Sequence, residues 1–282
     1  MDRKRVRLRI IKDKGFRAIV VLFSFVSIVP LLFILYFIIK NGILSLSWDF
    51  FTELPKPVGE KGGGISNAII GSFVLVLIAS IPAIPLGVAA GTYISEHRGS
   101  KLAYWGRVAV EVLQGTPSIV IGIIAYLWVV VSLGGFSALS GGVALGIMML
   151  PMIITTTEET LRLIPESLKE ASLALGVPYY RTILRVVLPA GVSGITTGVL
   201  ISVARIVGET APLLFTAFGN AFMNWNFFKP VNALPLLIYN YATSPYPEWH
   251  AAAWGASCVL VGFVLVLNLF ARVVTRRWKV LF

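Results

Sequence analysis

The chain has 282 residues, 57% of them hydrophobic and 13% charged, with a formal net charge of +11. Soluble domains carry roughly a quarter charged residues, so this composition excludes an ordinary soluble enzyme and describes a membrane protein. The basic residues stand between apolar runs and form no single basic face, which excludes nucleic acid as the partner and leaves membrane topology as their meaning.

In chain order, residues 1–17 form a basic segment with Arg3, Lys4, Arg5, Arg7, Arg9, Lys12, Lys14 and Arg17. Such a segment reads as a topology signal in contact with anionic lipid, with a specific partner site as the alternative. Six apolar runs follow that are long enough for a hydrocarbon core of about 30 Å: 18–39, 67–94, 102–133, 141–163, 190–217 and 251–274. The first carries no charge, is too long for a signal-peptide core and has no small-x-small site after it, so an uncleaved anchor is expected. The outer loop 40–66 contains GEKGGGIS at 59–66, which lacks the Lys-Ser/Thr ending of a phosphate-binding loop and is expected to be a flexible lead-in to the second span.

The third span holds Glu111, Gln114, Thr116 and Ser118. Counted from residue 102, Glu111 lies about 14 Å in, so it should face the bundle or a partner helix. Pore lining and helix packing are nearly even there, with packing slightly favoured. The fourth span ends in Glu158 and Glu159, expected at a solvated edge. Cys258, the single cysteine, reads as a small core residue of the sixth span. The outer segment 218–250, rich in aromatic residues, suits partly buried hairpins or short helices.

Orientation follows from the loops. Nineteen Lys and Arg lie on the side of the N-terminal segment, and four (Lys40, Lys56, Lys61 and Lys229) lie on the other, out of 24 in all. Both termini are therefore expected in the cytoplasm, the C-terminal one as a tail over 275–282. The aromatic residues Trp48, Phe50, Phe51, Trp225, Phe227, Phe228, Tyr246 and Trp249 fall at outer span ends, and Tyr104, Trp105 and Trp278 near inner ends.

The cytoplasmic connection 164–189 reads LIPESLKEASLALGVPYYRTILRVVLPAGVSGI with its flanks. Pro165 opens a short helix with Glu166 and Glu170 early, where the dipole favours acids. Gly176 followed by Pro178 stops it, and Leu188-Pro189 restarts a helix into the membrane. Taken alone, this is an amphipathic interfacial linker.

ISVARIVGETAPLLF at 201–215 places two charges in an apolar run. Arg205 and Glu209 are four apart, on one face if the helix continues. From Pro189 they lie about 24 Å and about 30 Å in. Lipid exposure of an arginine costs at least about 2.5–3.5 kcal/mol, so both should turn inward. A self-compensating pair returns only about 0.2–0.5 kcal/mol, which favours an anion pathway over a purely structural pair. The guanidinium offers a planar fork of donors for phosphate oxygens, and the glutamate keeps the site from trapping its anion. Gly208 permits close backbone approach, and Pro212 frees amides at the outer end.

The run Glu170-Ala171-Ser172, then Gly176, then Val186-x-Leu188-Pro189 after nine residues, resembles the EAA loop of binding-protein-dependent ABC permeases. Ser172 and Val186 are conservative departures from its second Ala and its Ile. LPKPVGEKGGGISNAIIGS at 54–72, EVLQGTPSIVIGI at 111–123, ARIVGETAPLLFTA at 204–217 and NALPLLIYNYA at 232–242 narrow the resemblance to phosphate-specific ABC transporter permeases of the PstA type. It covers nearly the whole chain from the first span to the last. It implies an all-α integral membrane protein of six transmembrane helices with ABC type I permease architecture, whose five-span core covers 67–274.

It also implies a permease for inorganic phosphate in a prokaryotic inner membrane. The short helix at Glu170, Ala171, Ser172, Leu175 and Gly176 would couple to an ATPase. The implied partners are a second permease subunit (PstC-type), two cytoplasmic ATPase subunits (PstB-type) and a phosphate-binding protein (PstS-type), with ATP and Mg on the ATPase and no cofactor on this chain. Arg205 would act with charged residues of the second permease, and Glu158-Glu159 gain ATPase contact as a second reading. A permease for molybdate or sulfate, or a phosphate-sensing membrane scaffold, are the alternatives. A secondary carrier is disfavoured by the missing internal repeat.

Overall fold

A computed structural model describes residues 3–60 and 62–277. Lys61 and, in the tail, Trp278 and Lys279 lie outside the described residues. Among the described residues eleven helices account for the architecture: α1 Arg3–Gly42, α2 Trp48–Thr52, α3 Ser66–Glu96, α4 Lys101–Gly115, α5 Ser118–Leu133, α6 Ala138–Arg162, α7 Glu166–Ala174, α8 Tyr179–Val207, α9 Ala211–Leu214, α10 Leu234–Ala242 and α11 Pro247–Arg277. Short π turns interrupt α5 at Tyr126–Val130 and α8 at Ile183–Val187. Pairing each backbone group within a helix is what lets an apolar chain cross hydrocarbon.

Among the described residues five helices, α1, α3, α6, α8 and α11, are long and apolar enough to cross a membrane, and the bent pair α4–α5 makes a sixth when counted as one span. The third expected span differs from the straight run 102–133. Thr116 and Pro117 are both extended, and α4 and α5 meet there at 106°. Proline biases the residue before it away from the helical region, which ends α4 at Gly115. The fifth span also shifts. Its helix starts at Tyr179, continues through Leu188-Pro189 without a restart, and ends at Val207.

The core is the α3–α6 pair with α8 laid against it. Leu75, Ala79, Leu145, Met149 and Ile153 form its buried centre, joined by Ile206, Leu213 and Leu236. Small residues set the spacing. At the α6–α8 crossing a Cβ on Gly198 would run into Thr156 Oγ1, and that hydroxyl is already bound to Met152 O at 2.8 Å. Neither side can yield cheaply.

α1 is exposed along its apolar window. It meets the rest at its end, where Gly42 packs on Trp254 and Cys258 and Ser45 Oγ donates to Ala251 O at 3.1 Å. Cys258 is half-buried at this crossing, not enclosed in a core.

One end of the bundle is closed by a lid over 216–242. The first amides of a helix have no partner within it, and the lid supplies acceptors to α6. Ser137 N donates to Thr216 O, Ala138 N to Lys229 O and Leu139 N to Phe227 O, at 2.9–3.1 Å. Ser137 Oγ caps Ser140 N at 3.1 Å. From α3, the buried Asn67 donates to Asn220 O at 2.7 Å and Ala221 O at 3.1 Å, and Ser72 Oγ accepts from Leu234 N at 2.8 Å. The glycine-rich lead-in is likewise pinned. Gly64 N donates to Leu54 O and Ile65 N to Phe50 O, while Gly63 N and Lys56 both reach the Glu53 carboxylate. The Lys56 hydrogen bond, then the Gly63 amide, hold the Glu53 carboxyl below the usual carboxylate range.

Gly198→Val should force α8 off α6 at a cost of about 1–3 kcal/mol, the range for overpacking, and lower the thermal midpoint of the detergent-solubilised chain. Gly262→Ala on α11, where a Cβ meets nothing within 4 Å, should leave that midpoint unchanged or raise it.

Candidate functional site

Arg205 occupies the last turn of α8, and Gly208 ends the helix. Glu209 therefore stands beyond the helix and not a further turn along it. Its amide still bonds Ile206 O at 3.2 Å, and this local turn brings its carboxylate to 3.7 Å from Arg205 Nε. That separation is an ion pair but longer than a hydrogen bond. Counted from Tyr179 the arginine lies about 39 Å along α8, in the last turn before Gly208.

The expectation that both charges turn inward holds for one of them only. The Glu209 side chain is 19% exposed, while that of Arg205 is 50% exposed. Gly208 admits no close neighbour, a Cβ there meeting only Arg205 O at 3.8 Å. Pro212 is buried on Gly122 of α5, its Cα 2.7 Å from where a Cβ would stand. The amides around it are taken up in local turns, Leu213 N and Leu214 N both donating to Thr210 O. They do not line a path.

The polar cluster of α4 separates. Gln114 Nε2 donates to Thr155 Oγ1 on α6 at 2.8 Å, tying the two helices at the end of α4. Thr116 Oγ1 returns to Val112 O at 2.7 Å within its own turn. Glu111 is exposed. No hydrogen bond or ion pair joins this set to Arg205 among the described residues.

At the opposite end of the bundle, α7 lies between α6 and α8. Gly176 takes φ +76° after it, the left-handed conformation that glycine adopts without strain. Leu161, Ile164, Ile183 and Val187 form the apolar seat, with Leu168 of α7 packed on it. The five motif residues divide by face. Ser172 is buried and its hydroxyl is 2.9 Å from Thr182 Oγ1, whereas Glu170, Ala171, Leu175 and Gly176 are exposed. Leu175 is 84% exposed, an apolar side chain offered to something outside the chain.

Two ion clusters brace this end, and sequence reasoning missed both. Glu158 is buried, unlike the solvated edge expected of it. Arg107 of α4 reaches its Oε1 at 2.7 Å, and Arg162 contacts the same oxygen from one turn on. Glu159 alone is exposed. Its i,i+4 relation to Arg162 was the available signal for Glu158. The second cluster centres on Glu96 at the end of α3. Lys169 of α7 reaches Oε1 at 2.5 Å, and Tyr179 OH donates to Oε2 at 2.7 Å. Partners so far apart in sequence left no local pattern to read.

A bundle with a bent helix pair, a short surface helix between two spans and a lid at the far end is the build of an ABC transporter permease. Residues 83–280 match the binding-protein-dependent transport system inner membrane component family. The phosphate transport system permease protein PstA of Yersinia pestis is 43% identical over 250 residues, 88% of this chain and 85% of that one. The PstA protein of Haemophilus influenzae is 42% identical over 88% of this chain and 90% of its own. Among solved structures, the inward-facing MetNI methionine ABC transporter aligns with a TM-score of 0.61 at 20% identity, over 77% of this chain and 95% of that one, which shows the shared fold. The chain belongs to the family of binding-protein-dependent transport-system membrane components, within it to the PstA permeases, and is thus a multi-pass membrane protein and not itself an enzyme.

Glu158→Ala should leave Arg107 and Arg162 facing one another and lower stability by about 3 kcal/mol, the low end for breaking a buried pair because both arginines reach solvent. Glu159→Ala should change it by less than about 0.5 kcal/mol. Thermal unfolding of the purified chain in detergent reads both.

Proposed function

We propose that this chain is a permease subunit of an ATP-driven inorganic phosphate importer and that Arg205 belongs to the phosphate path. The observation that carries the reading is the state of Arg205. It is half-exposed at the end of a span, and among the described residues its guanidinium makes no hydrogen bond, only the 3.7 Å pair with Glu209. A guanidinium fork with its donors unspent suits a phosphate oxyanion and stays charged at every physiological pH. The nearby carboxylate weakens the hold, so the anion leaves as well as arrives. The relatives named as phosphate permeases give the anion its identity.

The rest of the complex follows on the same reading. A second permease subunit completes the pore against the exposed face of Arg205. Two cytoplasmic ATPase subunits hold ATP and Mg, and one of them receives α7 through Leu175 and its exposed neighbours. A phosphate-binding protein delivers substrate to the lid side. The asymmetry of Lys and Arg between loops supports both termini in the cytoplasm, with α7 then on the ATPase side and the lid outside. Closure of the ATPase pair moves α7, and the helices joined to it shift access to Arg205 from one side to the other.

Vesicles holding the assembled complex should take up labelled phosphate only with ATP. Arg205→Ala should reduce uptake at least about tenfold, from the loss of charge-assisted bonds worth about 1.5–3 kcal/mol, with assembly intact. Unchanged uptake would remove Arg205 from the path, and transport of molybdate or sulfate in place of phosphate would reassign the substrate. Leu175→Asp, on a face that makes no contact within the chain's core, should leave the permease folded but strip the ATPase from it, as read by co-purification.

A further inference from the structure

We infer that Glu96 is the joint through which α7 drives α3, and that it sets how much transport each ATP yields. The inference deepens the importer reading and rests on it. α7 hangs between two breaks in the helical chain. Leu163 to Pro165 separates it from α6, and Leu175 to Pro178, with Gly176 at positive φ, separates it from α8. A short helix held only by such breaks pivots under load, and a pivot dissipates the motion it is given.

Beyond the packing of Leu168 on its apolar seat, two polar side-chain contacts limit that freedom. The first is Ser172 on Thr182, which fixes α7 to the base of α8. The second is Glu96. Its side chain is 5% exposed, and each of its carboxylate oxygens has its own partner from a different element, Lys169 of α7 on one and Tyr179 of α8 on the other. One carboxylate therefore ties three helices. It stands at the last residue of α3, so force on α7 enters α3 at its tip and runs along the helix.

From there the α3–α6 seam carries it. On Gly87 a Cβ would lie 2.7 Å from Ile153, and on Gly91 2.6 Å from Ile154 O. At Gly91 the two helices are in backbone contact, and at Gly87 α3 rests on the fully buried Ile153 side chain, so the pair moves together. Both the buried position and the use of both oxygens distinguish Glu96 from a surface ion pair, whose contribution is near zero. Glu96 touches no substrate on this account and is a positioning residue.

The test is the ratio of phosphate moved to ATP hydrolysed by the assembled complex in vesicles. Glu96→Gln keeps the shape and removes the charge that holds Lys169. It should hydrolyse ATP yet move at least about fivefold less phosphate per ATP, the lower bound of ordinary coupling between sites. Glu96→Cys with Lys169→Cys, on a Cys258→Ser background, should show the same loss and recover when a short bis-methanethiosulfonate, which forms a disulfide with each thiol and releases methanesulfinate, links the two positions. Should Glu96→Gln not assemble, Tyr179→Phe removes a single hydrogen bond and carries the same comparison. A ratio equal to that of the unaltered complex, or a loss that cross-linking does not restore, would overturn the joint. Failure of the importer reading shows separately, as no ATP-dependent uptake by the unaltered complex.

Discussion

A polar group inside hydrocarbon has no water to turn to, so it must find a partner within the protein or leave the bilayer. In this chain the surviving polar contacts are accordingly the places where helices are joined. Gln114 fastens α4 to α6 through Thr155, Asn67 fastens α3 to the lid, and Ser172 fastens α7 to α8. Between these points the contact surfaces are mostly apolar, with glycines set against threonines where α8 crosses α6. Apolar packing gives the bundle its spacing, because lipid is as apolar as the side chains and supplies little drive for association. Polar contacts give it its register.

The two ends of the bundle solve the same problem by different chemistry. At the lid end helices begin, and their leading amides need acceptors. A chain segment without secondary structure is rich in free carbonyls, so lid and helix starts complete each other, as Thr216, Phe227 and Lys229 do for α6. At the α7 end helices finish amid basic residues, and the joints are carboxylates buried among cations, Glu158 with two arginines and Glu96 with a lysine and a phenol. Backbone bonds to the lid fix the helix starts in place. Ion clusters reach across elements far apart in sequence, which is what a moving part requires.

Most of the architecture was legible because it rests on local signals. Apolar length located the spans, Pro165 and the Gly176–Pro178 pair bounded α7, and Glu166 marked its start. The errors share a cause, which is that run length does not report direction. Nothing in the hydropathy of 102–133 registers a 106° bend at Pro117, and the apolar run 190–217 hides a helix that stops at Val207. GEKGGGIS looked flexible because glycine is permissive, while the bonds that pin it come from Phe50, Glu53 and Leu54. Of the charged residues, Arg205 stood out by its apolar surroundings alone. Glu96 and Glu158 sit next to ordinary polar loop sequence, and only the folded chain shows that they are enclosed.

Arg205 departs from the rule that the joints above follow, and the departure is informative. Every joint described above satisfies its members within the chain, whereas this guanidinium keeps half its surface open and its donors unspent beside a carboxylate 3.7 Å away. An arginine facing lipid at the middle of a span costs about 2.5–3.5 kcal/mol and less toward its end, and a pair with Glu209 returns only a few tenths. The deficit cannot be met by any residue already in contact with it. Whatever balances it lies outside this polypeptide, as water, as an anion, or as the surface of another subunit. On the importer reading proposed above, a permease assembled from several chains provides all three at the seam between them, and the open arginine is where this chain would meet its partner.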